Sequence, residues 1–408
     1  MSRHNRYPDQ VMRPTTRFKS VQTLGLLMLL CRCLVPNASA QNLEVVLMRG
    51  GQEQDPDVGD VHFDRPFGIG FDARGNYYTV AMEGNQVCRH TPETGRHKIM
   101  TVVAGTGAKG NSGDNGDSRK ALLNGPHNLL VLPSGDIYVA DTWNNRVRKV
   151  EARTGRITAF AGTGAKGYSG DGGPALQATF GNLYCLALDA ARQNLYLDDL
   201  DNHRIRKVSL RTGIVSTVAG NGKSGVPQDG ADALASPLLD PRAIAFDSQG
   251  NLYILERSGN TLRVVDRQGR IRTVVGTGKA GPSADDVPAL QATLRGPKHL
   301  CVDHDDNVFI ADTDNHVIRK YLPREGRLVR IAGTGVAGSA GTDGPALQAQ
   351  LNQPHGVYVD TKGTLYIADS WNDRIVKIEQ ESKRREYEQE GRKKGSQEKM
   401  QKRFRKML

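Results

Sequence analysis

The stretch GPHNLLVLPSGDIYVADTWNNRVRKV at residues 125–150 decides the fold, because the chain repeats it with variations five more times. The related segments are 66–89, 182–208, 241–265, 297–321 and 354–378. When Asp141 is aligned with its counterparts in the other copies, successive steps are 60, 58, 57, 56 and 57 residues. Such a regular period predicts a repeat architecture. Residue types shared by the copies are therefore assigned to the scaffold, and a position that varies is a candidate for function.

Within each copy, short apolar segments separated by turn residues predict strands. The segments 129–132 and 137–140 flank the sequence PSGD at 133–136, which is typical of a hairpin turn. Two further segments, 146–150 and 157–162, complete four antiparallel strands, the composition of a propeller blade. Six blades closed in a ring would leave no exposed sheet edge.

Ring closure can be examined through the fourth strand, which ends in Val-Ala-Gly-Thr-Gly or a variant of it. This ending occurs five times, at 103–107, 160–164, 218–222, 274–278 and 331–335. Where a sixth would follow Ile378, the sequence becomes a charged tail, and the segment LEVVLMRGG at 43–51 is the substitute. The predicted fold is therefore all-β. It is a six-bladed β-propeller of four-stranded antiparallel blades, with the ring closed by the N-terminal strand pairing into the last blade.

The two ends of the chain differ from the predicted propeller at 41–378. Residues 1–40 are expected to be a cleaved signal peptide, because basic residues precede the apolar run 24–30 and Ala-Ser-Ala at 38–40 forms a cleavage site. Met12 is an alternative start. The apolar run is too short to span a bilayer, so we expect an exported protein, periplasmic or extracellular, with no transmembrane helix in the mature chain. Residues 379–408 are predicted to be a basic tail, disordered or helical.

The net charge of +11 belongs to these ends. Residues 1–40 and 379–408 contribute +5 each, which leaves +1 for residues 41–378. A nearly neutral body gives no electrostatic footprint for a polyphosphate, so no nucleic-acid partner is expected. The tail is a candidate for contact with an anionic surface.

The copy at 354–378 resembles an NHL repeat, with the pattern Gly-x-Leu-Tyr-Ile-Ala-Asp followed by Asn-x-Arg-Ile-x-Lys-Ile. The linker at 161–175 is similar to those of exported bacterial NHL proteins and of the NHL region of teneurins. The resemblance covers about residues 43–378 and implies the six-bladed propeller. It implies no particular activity, since propellers serve many unrelated functions.

Three recurring features are assigned to the scaffold. The acidic residues that end the second strand are interpreted as turn caps, because Asp bonds its own backbone in tight turns; they are Asp141, Asp199, Glu256, Asp312 and Asp369. The basic residues of 146–150 and 204–208 are interpreted as a solvated strand face with packed aliphatic stems. Pro-Ala-Leu-Gln-Ala at 174–178 predicts one short helical turn that packs under its loop. The isolated cysteines Cys88, Cys185 and Cys301 are expected to be free thiols.

The informative position is the residue after the repeat's Pro, at the start of each innermost strand. Because inner strands surround the propeller axis, six different side chains are expected to converge at one end of the central channel. These candidate ligand-binding residues are Phe67, His127, Tyr184, Arg242, Lys298 and His355.

The same position limits what metal chemistry is expected. Peptidylglycine amidating lyase, a propeller enzyme, places three zinc-binding histidines here on alternate blades, and this chain matches that motif at His127 and His355. Its third position is Arg242, which has no lone pair to donate, so the usual catalytic zinc site is incomplete. Gly-Asp-Gly-Gly at 170–173 lacks the ligand count of a calcium loop. We therefore assign no metal, cofactor or catalytic residue.

The sequence favours an exported, noncatalytic binding propeller, expected to be a monomer, that recognises a protein, peptide or surface-polymer ligand at one end of its channel. Arg242 and Lys298 suit an anionic group, on a small ligand or a peptide, since a guanidinium binds carboxylate or phosphate in a bidentate fork. Two alternatives stay open. The six side chains could simply plug the channel, or the same end could hold the site of a propeller enzyme, a lyase or a lactonase-type hydrolase.

Overall fold

Six antiparallel sheets account for the part of the chain that the computed structural model describes, residues 41–48, 63–91 and 100–379. The predicted signal peptide at 1–40, the residues 49–51 of the proposed closing segment, and the tail from 380 onward lie outside the described residues. No helix of the described chain has the length and apolar character needed to cross a membrane. The helices found there are single 3-10 turns.

Each sheet is one blade, and blades 1 to 5 follow the chain from inner to outer strand. Blade 1 consists of Pro66–Phe71, Tyr77–Ala81, Gln86–His90 and Met100–Ala104. Blade 2 consists of Asn128–Val131, Ile137–Asp141, Arg146–Val150 and Ile157–Ala161. Blade 3 consists of Leu183–Leu188, Asn194–Asp199, Arg204–Ser209 and Val215–Ala219.

Blades 4 and 5 each carry a fifth, two-residue strand that the sequence did not predict. Blade 4 consists of Pro241–Phe246, Leu252–Glu256, Thr261–Val265 and Arg270–Val275, with Ala231–Asp232 outside them. Blade 5 consists of His299–Val302, Val308–Asp312, Val317–Leu322 and Arg327–Ala332, with Val287–Pro288 outside them. The first strands of the six blades contact one another in cyclic order, so the ring is closed around an axis.

Blade 6 confirms the predicted closure. Its strands Gly356–Val359, Leu365–Asp369 and Arg374–Ile378 are completed on the outside by Leu43–Met48. This N-terminal strand runs antiparallel to Arg374–Ile378, with Leu43 opposite Ile378 and a bulge between Val45 and Leu47. The closing strand is noncovalent, and fully buried Leu43 packs in the apolar cluster that lies between blades 5 and 6.

The arginines in the middle of the third strands of blades 2, 3 and 5 are buried, so the predicted solvated face is wrong for them. Arg148 and Arg206 are 0% exposed and Arg319 is 2% exposed. Their guanidinium groups lie beneath the linker that enters the blade: Arg206 donates to the Ser169 carbonyl at 3.0 Å. The period revealed that these residues recur, but only the folded linker shows what covers them.

The acidic residues that end the second strands are likewise not turn caps. Asp312 accepts the Arg295 backbone N–H at 2.7 Å from the preceding linker and the Arg319 Nε–H at 3.0 Å. In its own turn it accepts the Asn315 side-chain amide at 2.8 Å, but it caps no backbone N–H there. Turn capping occurs instead at the first hairpin of the blade, where Asp303 Oδ1 accepts the N–H groups of Asp305 and Asn307, both at 2.9 Å. The recurrent carboxylates therefore connect a linker to a buried arginine.

The linkers contain the expected short turns. Ala175–Gln177, Ala289–Gln291 and Ala346–Gln348 are 3-10 turns whose first alanine is buried, which confirms the prediction for these segments. The leucine of each turn is at least 44% exposed, so packing under the loop is done by the alanines alone. Cys88, Cys185 and Cys301 are free thiols, as expected.

Candidate functional site

The structure brings the six residues at the position after the repeat's Pro, which is Leu183 in blade 3, together at one end of the channel, and we call them the axial ring. Phe67 lies at its centre, stacked on His355 with centroids 4.1 Å apart and meeting His127 edge-on at 4.9 Å. His127 meets Tyr184 at 4.6 Å, and the Arg242 guanidinium lies 3.7 Å above the Tyr184 ring. The role of these side chains in ligand binding stays a prediction.

Backbone pairing explains why these side chains share one level. The N–H groups of His127, Lys298 and His355 donate to the carbonyls of Ala140, Ala311 and Ala368 on their second strands, at 3.3, 3.1 and 3.0 Å. The inner strands of blades 2, 5 and 6 therefore begin at the same height along the axis. The Pro before each of them has no N–H to leave unpaired at that end.

The two histidines are neutral and share one tautomer. His127 Nδ1 lies 2.7 Å from the Gly125 carbonyl, and His355 Nδ1 lies 2.8 Å from the Gln353 carbonyl. Because a carbonyl only accepts, each Nδ1 carries the proton and each Nε2 keeps a lone pair. Burial, with the nearby charges of Arg242 and Lys298, holds the pKa of both histidines well below its ordinary value.

Positive charge is concentrated on the opposite side of the ring. Arg242 is 6% exposed, and within the described residues its guanidinium forms no ion pair or hydrogen bond, resting instead on Tyr184. Burial lowers its pKa, yet an arginine remains protonated in proteins. Burial also lowers the pKa of Lys298, against the opposing effect of Asp314, whose Oδ1 lies 3.6 Å from Nζ. The axial ring therefore offers a cation that has no hydrogen-bonded or ion-paired carboxylate in the described chain, although Asp198 acts on it electrostatically.

Two tryptophans extend the site and were missed by the sequence reasoning. Trp371 stacks on His355 at 4.6 Å, and the Lys298 Nζ lies 6.0 Å from its ring centroid. Trp143 meets His127 at 5.8 Å and is 40% exposed. Both occur two residues after the recurrent acidic residue, a position that varies among the copies. The rule that found the axial ring would have found them as well.

Asp198 is a second irregular residue that was missed. The other copies have Val, Ala or Leu where blade 3 has Asp198. Its Oδ1 accepts the Tyr184 and Cys185 N–H groups at 2.8 and 2.7 Å, whereas its buried Oδ2 has no hydrogen-bond partner among the described residues. Burial raises its pKa well above the ordinary value, opposed in part by Arg242. Asp198 thereby holds the backbone of Tyr184, on which Arg242 rests.

The buried histidines predict that the free energy of unfolding depends on pH. The prediction is made for His299, which lies one residue beyond the axial ring. Burial lowers its pKa from 6.5 to about 3. Below pH 6.5 the unfolded chain therefore binds a proton at this site that the folded chain refuses, so stability is lost as pH falls from about 6.5 toward 3. We expect His299→Gln to lose less unfolding free energy than wild type between pH 7.5 and 4.5, measured by urea titration.

The exposed His304 is the matched control for that experiment. His304→Gln should show the wild-type pH dependence, because it removes an exposed side chain and leaves the buried His299 in place. Equal slopes for His299→Gln and wild type would contradict the assignment of His299 as a neutral buried histidine. The comparison uses differences between variants, so titrating carboxylates common to all of them cancel.

Comparison with known proteins identifies the repeat. Residues 175–287 match the sequence model of the teneurin NHL domain, and residues 123–150 and 351–378 match that of the NHL repeat. The chain is 27% identical over 286 residues to Protein SUPPRESSOR OF QUENCHING 1, chloroplastic, of Arabidopsis thaliana, covering 67% of this chain and 27% of that protein. It is 26% identical over 332 residues to NHL repeat-containing protein 2 of Bos taurus, covering 71% and 44%. The chain thus spans less than half the length of these relatives.

Solved structures show the same fold at low identity. An auxiliary nutrient binding protein from Bacteroides ovatus ATCC 8483 superposes with a TM-score of 0.58 at 16% identity, covering 84% of this chain and 78% of that one. A likeness at this identity speaks for the fold alone. It supports the architecture of six antiparallel blades around an axis.

Proposed function

Because the chain is an NHL-repeat protein folded as a six-bladed β-propeller, we propose that it is an exported, noncatalytic binding module. Its axial ring takes the carboxylate, phosphate or sulfate group of a protein, peptide or surface-polymer ligand. One observation carries the proposal: Arg242 is a buried cation with no acceptor among the described residues.

The surroundings of Arg242 support an anionic ligand. A buried charge is costly unless it is paired, so an arginine held without a carboxylate gains most from a ligand that supplies one. Stacking on Tyr184 orients the guanidinium plane and leaves its N–H groups free for a bidentate contact. The neutral histidines add an Nε2 lone pair each, which accepts a hydrogen bond from a protonated donor on the ligand.

The aromatic residues around the ring favour a peptide or polymer over an inorganic ion. Trp143 and Trp371 flank the axial ring next to His127 and His355. An aromatic face with cations beside it holds planar or apolar groups of a ligand while the charged group is bound. This combination gives the site an anchor for the anion and a surface for the rest of the ligand.

We expect Arg242→Ala combined with Lys298→Ala to weaken sulfate binding by at least about tenfold, because one charge-assisted hydrogen bond contributes roughly 1.5–3 kcal/mol. Isothermal titration with sodium sulfate measures the affinity. The wild-type affinity should also fall as pH rises toward 10. The lowered pKa of Lys298 makes it lose its charge at a lower pH than a free lysine does.

The control is Lys279→Ala with Arg324→Ala, which removes the same charge from exposed positions and should retain wild-type sulfate affinity. If both double variants lose affinity equally, sulfate is responding to net charge and the site assignment fails. Stoichiometric zinc held by His127 and His355 in the purified protein would instead favour the enzyme alternative. The free Nε2 atoms of these histidines are the observation on which that alternative rests.

Export and partner choice are part of the same proposal. The basic and apolar composition of residues 1–40 is the support for export. The nearly neutral body supports a ligand other than nucleic acid. Contact of the basic tail with an anionic surface, and a monomeric state, are proposals that depend on the sequence alone.

A further inference from the structure

The channel contains a cavity of about 310 Å³ at the end away from the axial ring. The inner strands of all six blades line it, and none of the axial-ring residues does. At one level of these strands the lining residues are Gly70, Leu130, Ala187, Ala245, Cys301 and Tyr358. Each of these six residues lies opposite an aromatic residue of the neighbouring second strand. Ala187, for example, lies opposite Tyr196, and Ala245 lies opposite Tyr253.

The cavity exists because two of these six residues are alanines, which are too small to fill the axis. Ala187 and Ala245 leave open the space that larger side chains would occupy. Gly70 is different, because a Cβ there would lie 2.5 Å from Leu129 Cδ1. The mouth is formed by apolar side chains, among them Phe71 and Phe246. Its volume is at the lower end of the roughly 300–1,000 Å³ of small-molecule pockets. A cavity lined mainly by apolar side chains is suited to a small apolar ligand.

The inner end of the cavity is polar and closes the channel toward the axial ring. Asn128 Nδ2 lies 3.2 Å from both His299 Nε2 and the Tyr358 hydroxyl, and the Leu186 N–H donates to Asn128 Oδ1 at 3.3 Å. The Tyr358 hydroxyl donates to the Phe67 carbonyl at 3.3 Å. Side chains of blades 2, 5 and 6 therefore meet across the axis and separate the cavity from the proposed anion site.

This polar floor has more donors than acceptors. His299 Nδ1 faces the Val357 N–H at 3.4 Å, while its Nε2 faces the Asn128 amide. A neutral imidazole has one N–H and one lone pair, so whichever tautomer His299 takes, one N–H faces another donor. If the Asn128 amide is rotated so that Oδ1 and Nδ2 exchange places, Nδ2 faces the Leu186 N–H, and two donors again face each other. The floor therefore has a hydrogen to spare for an acceptor on a ligand.

Charge excludes ionic ligands. The described residues that line the cavity include no Asp, Glu, Lys or Arg, and burial keeps His299 neutral. At the same end of the inner strands, Asp72, Asp247 and Asp303 cap the first hairpins and carry negative charge. Anions are repelled there, and the cavity offers a cation no partner.

From these observations we propose that the cavity is a second binding site, for a small uncharged molecule with one apolar ring or chain and one carbonyl-type acceptor. The acceptor oxygen takes the spare hydrogen of the Asn128–His299 floor, and the apolar part lies against Leu130, Ala187 and Ala245. The site is independent of the anion site at the axial ring, and neither needs the other to be occupied.

Acetophenone is a suitable probe, because it joins one ring to one carbonyl oxygen. Wild-type protein should bind it more tightly than ethylbenzene, which lacks the acceptor, and more tightly than benzoate, which is charged. Saturation-transfer NMR and titration calorimetry measure this. Ala245→Phe fills the cavity and should weaken acetophenone binding at least tenfold, whereas sulfate binding at the axial ring should be unchanged. Retained sulfate binding and a wild-type melting curve show that this variant is folded.

Ala245→Leu is the milder variant if the larger side chain prevents folding, and it should also weaken binding. Arg242→Ala with Lys298→Ala should bind acetophenone as wild type does, which separates failure of this proposal from failure of the anion site. Absence of acetophenone binding to wild type, or equal binding to the filled variants, would overturn the second site. Equal affinity for ethylbenzene would overturn the role of the polar floor.

Discussion

A chain that lacks residues 41–48 is expected to lose cooperative folding altogether. The closing strand covers the edge of Arg374–Ile378, so its removal leaves that strand's hydrogen-bonding groups unpaired and exposes the apolar cluster around Leu365 and Ile367. The strand is also tied to the preceding linker, since the Leu43 N–H donates to the Gly344 carbonyl at 2.8 Å. Circular dichroism during thermal and urea unfolding measures the effect against a chain that begins at Gln41.

Single substitutions in the closing strand provide a graded version of this test. Leu43→Ala should cost about 2–5 kcal/mol of unfolding free energy, the usual range for a fully buried leucine. Glu44→Ala is the matched control: Glu44 is 55% exposed and forms a surface ion pair with Lys377, so its loss should cost less than about 1 kcal/mol. An unchanged melting curve for the shortened chain would disprove closure by this strand.

The second large effect is expected at a buried arginine. Arg319→Met should cost about 3–5 kcal/mol, because it leaves the Asp312 carboxylate buried without its ion-pair partner, whose Nε lies 3.0 Å from Oδ2. The Asp312 carboxylate also holds the preceding linker through the Arg295 N–H. Removing the Arg319 charge should therefore destabilise the linker as well as the blade. Urea unfolding monitored by circular dichroism measures the cost.

Arg327→Met is the control within the same blade. Arg327 pairs with Asp286 at 2.6 Å, but both side chains are more than a third exposed, so its loss should cost no more than about 1 kcal/mol. Adding Asp312→Leu to Arg319→Met should recover part of the lost stability, since the unpaired carboxylate is removed. Similar costs for the two single variants would show that the buried arginines are not essential partners of these carboxylates.

The repeat period was enough to predict the architecture, down to the strand that completes blade 6. Each copy contains its own short apolar segments and turn residues, so the sequence of one copy is enough to predict the strands of one blade. The absence of a sixth strand ending after Ile378, together with the apolar segment at 43–51, required no tertiary information. Counting identical elements was sufficient, because a closed ring needs every blade to be complete.

The environments of individual side chains were a different matter. Arg206 and Asp199 recur among the copies in the same way as surface residues do, and their spacing does not show that a linker covers them. In the structure both side chains are 0% exposed. Asp198 and Trp371 vary among the copies in the same way as Arg242, but they lie at other positions of the repeat than the one after its Pro. A complete comparison of variable positions would have found them without a structure.

What the sequence by itself determined is the ring: the number of blades, their strands, their noncovalent closure and the six residues that meet at one end of the axis. These features follow from the period of the repeat and from the position of each residue within it, and both can be read from the sequence alone. Only the tertiary structure decided which charges are paired, that Arg242 rests on Tyr184 without a hydrogen-bonded carboxylate, and that a cavity with a polar floor lies at the opposite end. Those properties depend on contacts between side chains from different blades, and such contacts arise only when the ring closes.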